Sequence, residues 1–341
     1  MTGRIPRGGA GKMVSYLATV WVILTLNFLL PRLMPGDPFV YLSGEEGEDL
    51  PQISEAQKNY YITQYGFDDP LYVQYGRYFA RLARGDLGQS IYYNAPVSTM
   101  LARRLPWTLG LVSLAIIFST LLGTLLGGLA AALRHHWVDR FLFMGLILVS
   151  EIPAFLLGLI MLFFFAAFLK LFPLSGAMTP FTQDPMTACQ KLSDICRHGA
   201  LPVATLTLAR LGGIFLLARN SLITVISKDY LVTARAKGLG RMRIFWRHAL
   251  RNAMLPIVTR VFMGLGTLTG GAILVENVFN YPGLGKLMRQ AVLYQDYPLI
   301  QGIFLLVTLA VLSANFMADL VYKHLDPRIS APKIPPVTVQ A

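Results

Sequence analysis

The run Trp107–Leu133, WTLGLVSLAIIFSTLLGTLLGGLAAAL, contains no charged residue and stops at Arg134. About 20 mostly apolar residues in a helix cross the hydrocarbon core of a bilayer, so this stretch reads as one complete span. Five other runs share the pattern. Met13–Pro31 lies between Lys12 and Arg32, and a third run follows Arg140 and ends at Lys170, interrupted only by Glu151. A fourth, Leu201 to about Val225, contains Arg210 and Arg219; a fifth, about Met254 to Val278, contains Arg260 and Glu276; the sixth, Tyr297 to Ala318, is uncharged. Charges inside a span are costly in lipid and tend to face a cavity or one another. The first run is longer than the apolar part of a signal peptide. It is followed by Pro31-Arg32-Leu33-Met34-Pro35 rather than a small-residue cleavage site, so it reads as a retained helix.

Composition points the same way. The chain has 341 residues, 54% apolar and only 14% charged, against about 25% charged in an ordinary soluble domain. One soluble core of this length could not hide that much apolar surface. Disorder and a disulfide-rich secreted module are excluded on the same grounds, and two cysteines cannot build a four-cysteine zinc site. The expected fold is all-α: a polytopic membrane protein with six transmembrane helices and a small helical extracytoplasmic segment.

The net charge of +12 would suggest nucleic acid in a soluble protein, but its distribution argues topology. Arg4, Arg7 and Lys12, then Arg134 and Arg140, then seven bases between Ser227 and Pro256, then Lys323, Arg328 and Lys333 all fall on one side of six spans. Between Pro35 and Pro106, on the other side, nine acids face six bases. By the positive-inside rule both ends are cytoplasmic. The expected organisation is a cytoplasmic N-terminus (1–12), a first span (13–34), an extracytoplasmic helical segment (35–106), a core with spans two to six and a cytoplasmic loop at 227–256 (107–329), and a cytoplasmic tail (330–341). Within the extracytoplasmic segment, Asp69-Pro70 looks like an N-cap and first turn. Tyr72, Tyr75, Phe79 and Leu82 then share one helical face, and Gly85-Asp86 ends the helix.

The loop 227–256 reads SKDYLVTARAKGLGRMRIFWRHALRNAMLP, with seven bases and the single acid Asp229. It could be a topogenic anchor on anionic lipid. It also has helical character: Leu231, Ala234 and Ala236 precede a natural stop at Gly238, and a second piece from Arg241 to about Ala253 repeats apolar groups. Two short helices joined at glycines would make a knob able to enter a groove on a soluble partner.

Tyr230-Leu231-Val232-Thr233-Ala234-Arg235-Ala236-Lys237-Gly238-Leu239, with Arg247-His248-Ala249-Leu250-Arg251-Asn252-Ala253 and Pro256, resembles the cytoplasmic "EAA" loop of ATP-binding-cassette importer permeases, in the variant of the dipeptide, oligopeptide and nickel family. The glutamate of the general motif is absent, and Leu255-Pro256 falls late; both departures fit that variant. The likeness runs from about residue 13 to 329 through Pro35-Gly36-Asp37-Pro38, Gly85-Asp86-Leu87-Gly88-Gln89-Ser90, Ile152-Pro153-Ala154-Phe155, Pro282-Gly283-Leu284-Gly285 and Asp296-Tyr297-Pro298.

This resemblance implies a permease subunit in a bacterial or archaeal cytoplasmic membrane, embedded in the lipid bilayer. It implies pairing with a second homologous permease, two ATPase subunits, and an extracytoplasmic binding protein that delivers peptides or a related solute, with nickel or a metal chelate also open. The charge distribution, read as a topology signal and a docking surface, gives no reason to expect a nucleic-acid partner. ATP and Mg would sit in the ATPase subunits, since Gly11-Lys12-Met13 and Gly285-Lys286-Leu287 lack the rest of a P-loop; no catalytic residue is expected in this chain, and no metal site either, because no two of its five histidines have zinc-ligand spacing. The residues implied in coupling are Tyr230, Thr233, Ala234, Arg235, Ala236, Lys237, Gly238, His248 and Arg251. Candidates for the translocation path are Glu151, Pro153 (a kink at a possible hinge), Arg210, Glu276, Asn315 and Asp319. Glu276 and Asp319 lie near span ends, where interfacial solvation is an equal alternative. An ion-gradient-driven secondary transporter is the competing reading, although no clear repeat is visible. Cys189 and Cys196 fall in the segment 174–200, read as an outer loop, where a disulfide or two free thiols are both open.

Overall fold

The computed structural model describes residues 9–34, 62–63, 66, 68–180, 187–240 and 243–325. The described residues are helical, with one isolated bridge between Gln89 and Pro96. The helices are α1 (Gly9–Arg32), α2 (Leu71–Ala83), α3 (Val97–Ala132), α4 (Trp137–Ser150), α5 (Ala154–Met161, continued by a π-helical stretch Leu162–Phe168), α6 (Ala188–Ile226), α7 (Asp229–Ala236), a π-helical stretch Ile244–Leu250, α8 (Arg251–Val278), α9 (Leu284–Leu293) and α10 (Tyr297–Leu325). Among the described residues four helices are long and apolar enough to cross a membrane: Val14–Arg32, Val97–Ala132, Ala188–Ile226 and Tyr297–Ala318; α4 with α5 and its extension makes a fifth if the two arms are one span.

The chain divides into two compact units. The first is Met1–Leu109 with Asn280–Leu309. Its apolar core joins Val97 and Leu101 of α3, Leu284, Leu287 and Ala291 of α9, and Leu299, Ile300 and Ile303 of α10. Around that core run directional bonds. Arg32 donates from Nε and Nη2 to Gln74 Oε1 at 3.0 and 2.9 Å, and Gln74 Nε2 donates to the Asp69 carbonyl at 2.8 Å. Asn27 Nδ2 reaches the Gln301 carbonyl at 2.9 Å. The Arg32–Gln74 bonds tie α2 to α1, and the Asn27–Gln301 bond ties α1 to α10. The buried position is Gln74 and the ring of Tyr75 meets Phe28 edge-on at 5.2 Å, whereas Tyr72, expected on the packed face, is 77% exposed. The N-cap position is Pro70, not Asp69, which instead pairs with Arg77.

The second unit is Gly110–Phe279 with Ala310–Ala341. α6 lies at its centre, packed by α4, α5 and α8. Glycines bring α3 against α6: a Cβ at Gly123 would meet Ile214 Cγ2 at 2.7 Å, and one at Gly127 would meet the Phe215 carbonyl at 2.8 Å. The third apolar run is not the straight helix its length suggests. α4 and α5 meet at 100° across Glu151–Pro153. Pro153 lacks an amide hydrogen and disfavours helical geometry at Ile152, so the α4 ladder ends there and a new helix starts.

Two helices outrun their apolar windows. α3 has 36 residues and α6 has 39, about 54 and 58 Å at 1.5 Å per residue, against about 30 Å of hydrocarbon. α6 starts inside the stretch read as a loop because Thr187 and Gln190 form a reciprocal capping box. Cys189 and Cys196 therefore stand on one helix, about 10 Å apart along its axis, beyond disulfide reach; both are free and exposed.

Candidate functional site: a surface helix and a charged cavity

α7 is short and two-faced. Leu231 and Ala234 are buried in a cluster with Ala131 of α3, Leu222 of α6, Ile244 and Ala249 of the π-helical stretch, and Ala253 of α8. Burying one such leucine is worth about 1.5–3 kcal/mol, enough to hold an eight-residue helix that would not persist alone. Tyr230, Val232, Thr233, Ala236, Lys237 and Gly238 are exposed. Of the residues expected to couple, Ala234 thus packs inward, while Tyr230, Thr233, Ala236, Lys237 and Gly238 form the outer face and end. Arg251 is also exposed. The side chains of Arg235 and His248, like that of Asp319, lie outside the described residues.

Gly238 ends α7 with φ +75°, and the Leu239 amide donates to the Ala234 carbonyl at 3.4 Å. A Cβ at Gly238 would meet nothing within 4 Å, so the demand for glycine is conformational rather than steric. Tyr230 OH accepts from Asn252 Nδ2 at 3.0 Å, tying α7 to α8. The second helical piece expected from Arg241 to Ala253 is not separate: Ile244–Leu250 winds as a π-helix and continues directly into α8. A displacement of α7 would therefore reach α8 through Tyr230–Asn252 and through the Leu231 cluster.

A second arrangement lies at the α4–α5 bend. Ser150, Glu151, Arg210, Gly213, Arg260 and Gly264 are among the residues lining a cavity of about 380 Å³, within the range of small-ligand clefts. Glu151 and Arg210, singled out separately from sequence, meet here, beside the bend at Pro153. Arg210 Nη1 donates to the Gly264 carbonyl at 3.0 Å, and any side chain at 264 would collide with the guanidinium. Ser150 Oγ accepts from the Gly212 amide at 2.9 Å, fixing the end of α4 to α6. Glu276 is fully buried elsewhere, and Asn315 is exposed on α10; neither lines this cavity.

Two further polar features escaped the sequence reading. Arg219 makes a bidentate pair with Asp139, both bonds 2.6 Å. An arginine inside an apolar run signals that a partner must exist, but not which acid supplies it. In the first unit, Asp296 is buried, accepts from Ser90 Oγ, and takes the Tyr92 and Leu299 amides at 3.2 Å each. It caps α10 and anchors the loop before α3. The motifs at 85–90 and 296–298 are thus two halves of one contact. Burial pushes the Asp296 carboxyl up from its ordinary value, against the pull of those hydrogen bonds.

Comparison with known proteins agrees with this architecture. The family described as "binding-protein-dependent transport system inner membrane component" matches residues 123–331. The glutathione transport system permease protein GsiC of Salmonella paratyphi A is 35% identical over 318 residues, covering 93% of this chain and 97% of its own. The Escherichia coli K12 protein of the same name is 33% identical over the same length and coverage. A Brucella suis biovar 1 protein named as a peptide permease is 35% identical over 321 residues, with 93% and 97% covered.

Proposed function

The chain belongs to the binding-protein-dependent inner-membrane transport components and is a permease subunit of an ATP-binding-cassette importer rather than an enzyme, and from that premise we propose that α7 is the element through which ATP hydrolysis in partner subunits drives it. The observation that carries this reading is the division of α7 into a buried face that grips α6 and α8 and an exposed face, Tyr230, Val232, Thr233, Ala236 and Lys237, free for a partner. The basic surroundings suit an acidic-rimmed groove on the ATPase. Closure of two ATPases on ATP would move α7 as a rigid body.

Six spans complete the reading: the four long helices, the broken α4–α5 pair, and α8, whose 28 residues suffice in length. Both termini and α7 would be cytoplasmic, with the segment from α2 to the start of α3 on the opposite side, where a binding protein delivers cargo. A second homologous permease would close the path. The names of the relatives support a short peptide, glutathione included, as the cargo. Glu151, Arg210 and the bend at Pro153 would belong to the translocation path.

The test is purification of the tagged full chain from its native membrane, with uptake measured in the same cells. A second permease and two ATPase subunits should come with it; a secondary transporter would bring none. Gly238→Leu should leave membrane insertion intact and lower uptake about tenfold by misplacing the end of α7. Wild-type uptake in that variant would overturn the coupling role.

A further inference from the structure

The cavity at the α4–α5 bend gathers charge in a part of the chain where charge is expensive. Arg210 stands near the middle of the 39-residue α6, and Arg260 within α8. With Glu151 they give the cavity two positive groups and one negative, a net charge of +1. Among the described residues these three do not pair with one another: the ion pairs formed are Arg77–Asp69, His198–Asp194 and Arg219–Asp139. Arg219 shows what this fold does with an arginine that only needs neutralising: it supplies an aspartate at 2.6 Å. Arg210 is given a carbonyl instead, and its buried Nε has no hydrogen-bond partner among the described residues. Its guanidinium is nevertheless held in place by the Gly264 contact. Gly213, on the cavity wall, has open space where a side chain would project.

We propose that this cavity recognises the carboxylate of a short peptide. Arg210 and Arg260 hold its oxygens, and Glu151 meets the peptide's ammonium group. A guanidinium presents a fork of donors that matches a carboxylate, and two arginines facing one space repel until an anion enters. A tripeptide is about 10 Å long when extended, so both of its charged ends can lie within one small-ligand cleft. The proposal rests on the reading that this cavity lies on the translocation path.

The experiment is uptake of labelled trialanine and of its C-terminal amide, in cells whose only copy of this subunit is the full chain or a variant, normalised to its level in the membrane. The wild type should import trialanine faster than the amide. Arg260→Gln, at an exposed position, and Arg210→Gln, which keeps a donor for the Gly264 carbonyl, should each lower trialanine uptake about tenfold, the effect of losing one charged hydrogen bond. Each should shrink the acid-over-amide preference by about the same factor, because the amide never used that bond. Gly213→Leu should block both peptides. If Gly213→Leu blocks while both arginine variants keep the wild-type preference, the carboxylate proposal fails and the path reading stands. If Gly213→Leu imports normally, the path reading fails and takes the proposal with it. A wild type that imports neither peptide overturns the peptide cargo itself.

Discussion

The two units are held together by different means. In the first, buried polar groups answer one another across helices: Arg32 with Gln74, Asn27 with Gln301, Asp296 with Ser90. In the second, α3 meets α6 through glycines, while α6 is tied to α4 by the Asp139–Arg219 pair and the Ser150–Gly212 bond and to α8 by the Arg210–Gly264 bond. Directional bonds specify one geometry, whereas smooth glycine contacts let packed helices slide. The second unit also contains the 100° break, the charged cavity and α7. Within the second unit the glycine seam between α3 and α6 suits a sliding contact; within the first the buried polar bonds suit a fixed one.

Substitutions at four sites, two of them with a paired control, test this contrast from the largest effect to the smallest. Asp139→Ala leaves the half-buried Arg219 without its bidentate partner and should cost about 3 kcal/mol, read as lowered thermal stability of the purified chain. Adding Arg219→Leu should recover most of the loss, since the pair repays little more than its own desolvation. Gly127→Leu wedges α3 from α6 and should cost about 3 kcal/mol; Gly110→Ala, where a Cβ meets nothing within 4 Å, should be silent by the same measurement.

Asp296→Ala strands Ser90 and the Leu299 amide and should cost about 2 kcal/mol. Its pH dependence has a definite sign. A carboxyl raised by burial binds its proton more tightly in the folded state, so its contribution is fully present below about pH 3.9, the unfolded value, and is lost as pH rises through the raised folded value. Unfolding temperature followed against pH should therefore slope downward across that window in the wild type and less so in Asp296→Ala. Apart from the silent Gly110 control, the smallest effect is expected at Gly238. Gly238→Ala should cost about 1 kcal/mol, from the left-handed backbone alone, and Gly238→Asn less.

Much of the fold was legible because hydropathy reports which solvent a helix meets. The charge-free runs located α1, α3 and α10, and Arg134 and Lys170 bounded their neighbours. Helix ends were harder to read. α3 starts at Val97 and α6 at Ala188, outside the apolar windows, because a cap such as Thr187–Gln190 works in water as well as in lipid. The bend at Pro153 was legible from its missing amide, but the 100° angle depends on what α4 and α5 pack against. α7 was visible in its motif; its division into inner and outer faces was not, because alanine at 234 and alanine at 236 look alike until Leu222 and Ala253 surround one of them. Partners remote in sequence, Asp139 with Arg219 and Ser90 with Asp296, left only half a signal each: a charge in a run that should have none, or a motif with no stated reason.

The coupling role of α7 is tested most directly by cross-linking from single cysteines. In a full chain with Cys189 and Cys196 replaced by serine, Val232→Cys and Lys237→Cys on the exposed face should cross-link to an ATPase subunit in native membranes, and Ala234→Cys, on the face that grips α6 and α8, should not. Cross-linking from Ala234→Cys equal to that from Val232→Cys, or none from either exposed position, would contradict the account.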